Sequence, residues 1–377
     1  MKLNWVSYYM HADGYGRFSS RMVAALIKAG VDVTPLVADQ RTMPPWMWER
    51  LGISWDHLTV SCVPPWLAEP VPSANHWLFT MCEGSRLPKS WVTKIRKAGV
   101  QKILVPCRHN QEVFINSGVK VPVEIVPLGI DPAEFPILQP RLARPYTFLA
   151  LADRGGRKGY EEAFDAFYKA FGGKTTGVQD VRLIIKHRKG SNRIMRFVAK
   201  AAELDPRLCF IGEDVDSMAD VYALTDCFVI PSYCEGWGMP HREAAAMGVR
   251  VITQRYSGMD DGHTDKWAMV VEGGQFIQDT HGGQHGWLKP DVGNLAKLMV
   301  ECYQWPATAA KEGLKAAQWL RDNQTWEIAA QKLLDKLEGL NTNGIRSQVV
   351  SETQRPVEKA DQRVHPHIHA DRAQNWL

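Results

Sequence analysis

The chain has 377 residues, 45% hydrophobic and 23% charged, with a formal net charge of +4, which is the composition of a globular protein with room for two or three domains and ample cores. Seven cysteines without a Cys-x-x-Cys pair argue against a disulfide framework and a structural zinc site. No apolar run reaches the length of a membrane helix and residues 1–5 open no secretory signal, so the expected location is the cytoplasm, with at most a peripheral membrane contact.

Residues 3–9 read as a strand, Asp13-Gly14-Tyr15-Gly16-Arg17 as a turn, and residues 18–29 as a helix with Met22, Leu26 and Ala29 on its apolar face, ended by Gly30. Residues 31–36 form the next strand. This βαβ start places a glycine-rich turn at the anion-facing end of a nucleotide-binding sheet, although Gly-Tyr-Gly is not the dinucleotide fingerprint. Short strands follow at 77–81, 103–105 and 123–126. After a break at 139–145 the alternation resumes. Strands are expected at 148–152, 181–186, 208–211, 228–230 and 249–253, helices at 160–171 and 194–204, and a final amphipathic helix at 328–337. Each series calls for a parallel sheet covered by helices, and two such sheets joined near residue 140 enclose a cleft. Ligands bind beyond the carboxyl ends of such strands, which puts the loops after Tyr9, Met81, Ala152, Lys186, Ile230 and Thr253 at the cleft.

The bases are clustered. Residues 84–111 contain no acid but carry Arg86, Lys89, Lys94, Arg96, Lys97, Lys102 and Arg108, and a second group comprises Lys186, Arg188, Lys189, Arg193, Arg196 and Lys200. Such clusters suit an anionic membrane surface, a nucleic acid or a phosphorylated substrate, and equally a solvated helix face.

The most informative stretch is Pro231-Ser232-Tyr233-Cys234-Glu235-Gly236-Trp237-Gly238-Met239-Pro240-His241-Arg242-Glu243-Ala244. An apolar run leads in and an alanine-rich helical run leads out, so it reads as strand, glycine-rich turn and helix. The free amides at such a helix start are a site for phosphate or sugar oxygens, and carboxylates, which only accept hydrogen bonds, suit vicinal hydroxyls. Glu235 and Glu243 bracket the turn.

This string resembles the Glu-x7-Glu motif of retaining glycosyltransferases of family 4, which have the two-domain GT-B fold. Residues 105–110, 117–119, 126–131, 220–232 and 290–296 are similar to other stretches of that family. The resemblance implies an α/β protein of two Rossmann-like domains facing a cleft. The first, acceptor-side domain spans 1–140 together with a crossover helix near 320–342. The nucleotide-sugar domain spans 141–319, and a polar, flexible tail spans 343–377. It implies Glu243 on the ribose hydroxyls, Glu235 near the donor sugar, and the backbone of Gly236, Trp237, Gly238 and Met239 against sugar or phosphate oxygens. Gly14 and Gly16 match the glycine loop at the donor phosphate. Arg154 and Lys158, in Asp153-Arg154-Gly155-Gly156-Arg157-Lys158-Gly159, match the cations that hold the leaving diphosphate, with Arg157 a rival for Arg154.

Many relatives have a histidine around this stage of the first domain; this chain has His76 at the start of the strand and Glu83 at its end, set to face an acceptor hydroxyl or to cap the next helix. His187, Arg188 and Lys189 form a further basic loop near the cleft. His365, His367 and His369 are read as part of the flexible tail, and neither a metal nor a cofactor is expected beyond the nucleotide-diphosphate sugar as co-substrate. The reading is therefore a metal-independent retaining hexosyltransferase moving a sugar from a nucleotide diphosphate to an acceptor hydroxyl. The acceptor stays open among a lipid-linked sugar or glycan at the membrane, a hydroxymethylated base in DNA, which needs base extrusion, and a protein or small molecule. A non-catalytic sugar-nucleotide-binding protein and a nucleotide-sugar epimerase share the architecture.

Overall fold

The computed structural model describes residues 1–9, 14–37, 55–140, 144–152, 156–187, 192–278 and 286–343. Two six-stranded sheets, all parallel, carry the fold. The first contains β1 (Lys2–Ser7), β2 (Asp32–Val37), β3 (Leu58–Cys62), β4 (His76–Phe79), β5 (Lys102–Val105) and β6 (Val123–Ile125) in the order β2-β1-β3-β4-β5-β6. The second contains β7 (Tyr146–Ala152), β8 (Val181–His187), β9 (Leu208–Ile211), β10 (Cys227–Ile230), β11 (Arg250–Gln254) and β12 (Met269–Val271) in the order β12-β11-β10-β7-β8-β9. An antiparallel hairpin, β13 (Gly274–Ile277) with β14 (Trp287–Pro290), is appended to the second.

Helices cover both faces, which is why the strands read as nearly continuous apolar runs. Among the described residues, α1 (Gly14–Lys28), α2 (Lys89–Lys97) and α3 (Arg108–Asn116) accompany the first sheet. The second has α4 (Tyr160–Phe171), α5 (Asn192–Leu204), α6 (Met218–Ala223), α7 (Met239–Ala246), α8 (Val292–Gln304) and α9 (Pro306–Asn323). The last helix, α10 (Trp326–Asn343), follows the second sheet in sequence but packs on the first. Trp326 stacks on Phe18 of α1 at 6.0 Å between ring centroids, and Phe18 meets Phe79 of β4 edge-on at 4.6 Å. The chain crosses between the sheets twice, at 126–145 and at 324–326, and the two crossings touch. The Ile130 N–H donates to the Gln324 carbonyl at 2.8 Å and the Trp326 N–H to the Ile130 carbonyl at 3.3 Å.

Two sequence expectations change. Residues 14–17 are the first turn of α1 rather than a turn ahead of it. Strand β3 was not expected at all, because Thr59 and Ser61 break its apolar pattern. Both are buried and satisfied inside the sheet, where Asn4 Nδ2 donates to Thr59 Oγ1 at 3.2 Å and Ser61 Oγ pairs with His76 Nε2 at 2.8 Å. His76 is thereby a core residue.

The basic segments are not single charged faces. Lys94 pairs with Glu69, Lys102 with Glu124 at 2.7 Å and Arg108 with Glu112 at 2.9 Å, so acids from outside the segment, and Glu112 one turn on from Arg108, offset it. Lys186 is buried and donates to the carbonyls of His187 and Glu213. Arg86, Lys89, Arg96, Lys97, Arg196 and Lys200 are exposed. Arg188, Lys189 and the three tail histidines lie outside the described residues, and nothing is described of the side chain of Arg193. Among the described residues no helix is long and apolar enough to cross a membrane.

Candidate active site

The carboxyl ends of β4, β7, β10 and β11 converge where the two sheets face each other. The chain leaves β10 through Pro231 and turns at 235–238 into α7. Gly238 is the N-cap in a left-handed conformation (φ 81°), no side chain caps the helix, and Pro240 has no N–H, so the first-turn amides open to a ligand include those of Met239 and His241 but not Pro240. A Cβ at Gly236 would collide with the Met81 side chain after β4, so a larger residue here would have to displace Met81. The turn is held from several sides. The Glu235 N–H donates to Ser257 Oγ and the Gly258 N–H to the Glu235 carbonyl, both at 2.8 Å. From α3, Asn110 Nδ2 donates to the Gly236 carbonyl at 2.9 Å while its Oδ1 accepts from the Cys82 N–H at 2.5 Å, which ties the glycine turn to the loop after β4.

Arg242 supports the same turn from beneath. Its side chain is buried, with the guanidinium 3.8 Å from the Trp237 ring centroid and 4.7 Å from that of Trp267. It pairs with Asp261 at 2.8 Å, donates to Gln324 Oε1 at 3.0 Å and also to the Trp237 carbonyl. Gln324 closes the ring by donating to Asp261 at 2.7 Å. The glycine turn, the loop after β11 and the second crossing between the sheets thus share one polar node. Trp237 points into this core, so only its backbone, not its indole, faces the turn.

At the mouth of the turn Glu235 is buried between two cations. Lys158 Nζ stands 2.6 Å from Oε1 and Arg157 Nη1 3.0 Å from Oε2. Burial pushes this carboxyl up, but Arg157 and then Lys158 outweigh it and hold it well below the usual carboxylate range. Arg157 also reaches across to Glu83 of the first domain, at 3.2 Å, and donates to the Cys234 carbonyl at 2.6 Å. Glu83 is 40% exposed and therefore open to a ligand. The structure thus assembles Glu83, Arg157, Lys158 and Glu235. Arg154 lies outside the described residues, and it is Arg157 that stands beside Lys158 on Glu235.

Glu243, two turns along, is also buried. Its Oε1 is 3.1 Å from Arg17 Nη2 of α1, and its Oε2 accepts from Tyr222 Oη at 3.3 Å. Burial pushes its carboxyl up, and Glu134 adds to this while Arg17 opposes it. Arg17 and Arg21 hold Glu134 at 3.1 and 2.5 Å, and a pocket lined by both arginines, Phe135, Met239, Glu243 and Trp326 opens beside them. A Cβ at Gly14 would lie in ordinary van der Waals contact with the Met239 side chain; Gly16 is buried within α1.

Sequence reasoning passed over Arg17, Asn110, Tyr222, Arg242 and the pair His109–Tyr256. His109 Nε2 lies 3.1 Å from the Gly84 carbonyl, its ring is 5.3 Å from that of Tyr256, and burial pushes it below the ordinary histidine value. Arg17 had one signal, its place directly after Gly16. His187 is buried and stacked on Phe210 at 4.5 Å. Among the described residues no group of three or more His, Cys, Asp and Glu side chains is placed to hold a metal ion.

Comparison with known proteins gives this geometry a context. Residues 141–267 match the family described as Glycosyl transferases group 1. Over 183 residues the chain is 25% identical to the GDP-mannose-dependent monoacylated alpha-(1-6)-phosphatidylinositol monomannoside mannosyltransferase of Corynebacterium glutamicum, covering 46% of this chain and 43% of that protein. The chain thus spans less than half the length of this curated relative. Among solved structures it shares the fold of sucrose-phosphate synthase from Thermosynechococcus elongatus, with a TM-score of 0.67 and 14% identity over 91% of this chain and all of that one. It also shares the fold of Anabaena HepE in complex with UDP and glucose, with a TM-score of 0.67 and 12% identity over 90% and 100% of the two chains. The architecture is that of GT-B glycosyltransferases, with a group 1 match over the second sheet.

Proposed function

We propose that the protein is a glycosyltransferase that moves a sugar from a nucleotide-diphosphate donor to an acceptor hydroxyl, with retention at the anomeric carbon as in family 4. The observation that carries this reading is the constellation at the start of α7. Two cations, Arg157 and Lys158, stand over an uncapped helix N-terminus, with Glu235 between them and Glu83 opposite.

A diphosphate entering this site shares the two cations with Glu235 and takes hydrogen bonds from the amides at the start of α7. Glu243 accepts from the ribose hydroxyls. Glu83, half-exposed on the acceptor side, accepts from the attacking hydroxyl and orients it. The acceptor oxygen bonds to the anomeric carbon as the bond from that carbon to the phosphate oxygen breaks. The acceptor proton passes to the departing diphosphate, whose charge Arg157 and Lys158 stabilise. Attack and departure on one face give retention without a carboxylate nucleophile. Closure of the domains around the turn excludes water.

The mannosyltransferase relative is named for GDP-mannose and the HepE structure holds UDP, so guanosine and uridine diphosphate sugars are the first donors to test. For the acceptor, a sugar or lipid-linked sugar is favoured over DNA. The compensation of Lys94, Lys102 and Arg108 and the burial of Lys186 remove much of the cationic surface that a duplex needs. The test is to incubate the protein with GDP- and UDP-sugars and follow free nucleoside diphosphate by chromatography. Slow release that Lys158→Ala abolishes supports the reading; no release from any donor, with or without candidate acceptors, removes it.

A further inference from the structure

The least expected contact in the cleft joins Arg17 of α1 to Glu243 of α7, residues from opposite domains. Arg17 Nη2 is 3.1 Å from Glu243 Oε1 and 3.1 Å from Glu134 Oε1. Its side chain is 26% exposed, and its guanidinium carbon lies 5.8 Å from the Phe135 ring centroid. Glu134 is itself clamped by Arg21 at 2.5 Å, and Arg21 also holds Asp131 at 3.2 Å, so Arg17 is braced from behind. On the far side, Tyr222 of α6 donates to Oε2 of Glu243 at 3.3 Å.

Glu243 is therefore ion-paired through Oε1 and accepts a hydrogen bond through Oε2, from opposite directions. An ionised carboxylate offers about four lone-pair sites. Acceptor sites are left over on both oxygens, which matches the demand of a vicinal diol. A protonated carboxyl does not, because its O–H becomes a donor.

We infer that Arg17 is a positioning residue that keeps Glu243 as an acceptor through both oxygens, and that it thereby makes the site select ribonucleotides over 2′-deoxyribonucleotides. This rests on the reading that Glu243 takes the ribose hydroxyls. The electrostatics around Glu243 support it. Burial raises the carboxyl most, Arg17 opposes it, Glu134 raises it further, and the Tyr222 hydrogen bond and then Arg21 lower it. Removing Arg17 leaves burial and Glu134 opposed only by Arg21 and Tyr222, and the carboxyl titrates higher still.

The experiment is calorimetric titration of UDP, 2′-deoxy-UDP, GDP and 2′-deoxy-GDP into the full chain and into Arg17→Gln and Arg17→Lys, between pH 6 and 9. The wild type is expected to prefer the ribo form of the base it binds by roughly tenfold to a hundredfold, the worth of one hydrogen bond to a charged group. Arg17→Gln is expected to weaken that preference, and to weaken it more at pH 6 than at pH 9, because Glu243 titrates higher without Arg17; Arg17→Lys is expected to restore it in part. An unchanged ribo-to-deoxy ratio across pH in Arg17→Gln overturns the inference, as does an equal weakening of both forms. A wild type that binds diphosphates without preferring ribose removes the role of Glu243 itself, and one that binds none removes the site reading. If Arg17→Gln does not fold, Glu134→Gln carries the test. With the like charge gone, the ribo preference is expected to persist to lower pH, and an unshifted profile overturns the inference.

Discussion

Lys158 Nζ lies 2.6 Å from Glu235 Oε1, and this one contact ties the loop after β7 to the glycine turn ahead of α7. Both side chains are largely buried, so each serves as the other's solvent in the ligand-free protein. Removing one partner of a buried pair costs about 3–5 kcal/mol because the other is stranded, and here Arg157 remains to relieve part of it. Lys158→Ala is therefore expected to lower stability by about 2–3 kcal/mol and to reduce turnover at least a hundredfold. The double variant Lys158→Ala/Glu235→Gln is expected to recover stability but not activity. Chemical denaturation beside donor turnover checks this, and recovery of both would mean that the pair is structural only.

Glu83 provides the contrasting case. Its link to Arg157 is 3.2 Å long and 40% exposed, and exposed pairs contribute at most about 1 kcal/mol. Glu83→Gln is expected to leave the melting temperature nearly unchanged while transfer to acceptor falls more than tenfold and nucleoside diphosphate affinity stays within about twofold. Wild-type transfer rates in this variant would exclude Glu83 from the reaction.

These two residues also show what was legible in the sequence. Glu235 and Glu243 stand in one local strand–turn–helix string, so residue pattern alone locates them. The cations after β7 were legible as a group; Arg157 and Lys158 meet Glu235, and Arg154 lies outside the described residues. Arg17 meets Glu243 only because two separately folded sheets face each other, and no local pattern reports a contact between residues so far apart. Asn110 is hidden for the same reason. The acid-free stretch 84–111 misled in the opposite way. Glu69 and Glu124, remote in the pattern but adjacent in space, offset its lysines. Strand β3 escaped because buried Thr59 and Ser61 look solvent-facing until their partners Asn4 and His76 are in place.

Arg242 is expected to behave as a structural keystone of the turn. Arg242→Leu leaves the Asp261 charge unpaired, with only the neutral donors Gln324 and the His263 N–H, and removes the support beneath Trp237, with an expected loss of about 3 kcal/mol. Arg242→Lys is expected to recover little, because one ammonium cannot reproduce a planar fork shared among Asp261, Gln324 and the Trp237 carbonyl. Thermal melts of both variants check this; a lysine variant as stable as the wild type would contradict it.

A pH dependence follows from His241, which is fully buried on α7. Burial pushes its pKa from 6.5 down to about 3, with Lys158 and Arg242 assisting and Glu235 opposing. The native state keeps the ring neutral while the unfolded state binds a proton below 6.5, so stability falls as pH falls through that window, by at most about 1.4 kcal/mol per pH unit. Between pH 7.5 and 5, the wild type is expected to lose about 2 kcal/mol more than His241→Phe. Urea melts at the two pH values measure the difference, and equal losses would show that His241 does not set it.

The central claim is a nucleotide-diphosphate site built from Arg157, Lys158, Glu235 and Glu243. Its most direct test is a thermal-shift measurement of wild type, Lys158→Ala and Glu243→Ala against the nucleoside diphosphates of uridine, guanosine, adenosine, thymidine and cytidine and their sugar conjugates, since a ligand of the native state raises the melting temperature by mass action. The expected result is a clear upward shift with one base in the wild type, reduced in both variants. No shift with any diphosphate, or a shift that both variants keep in full, would contradict the claim.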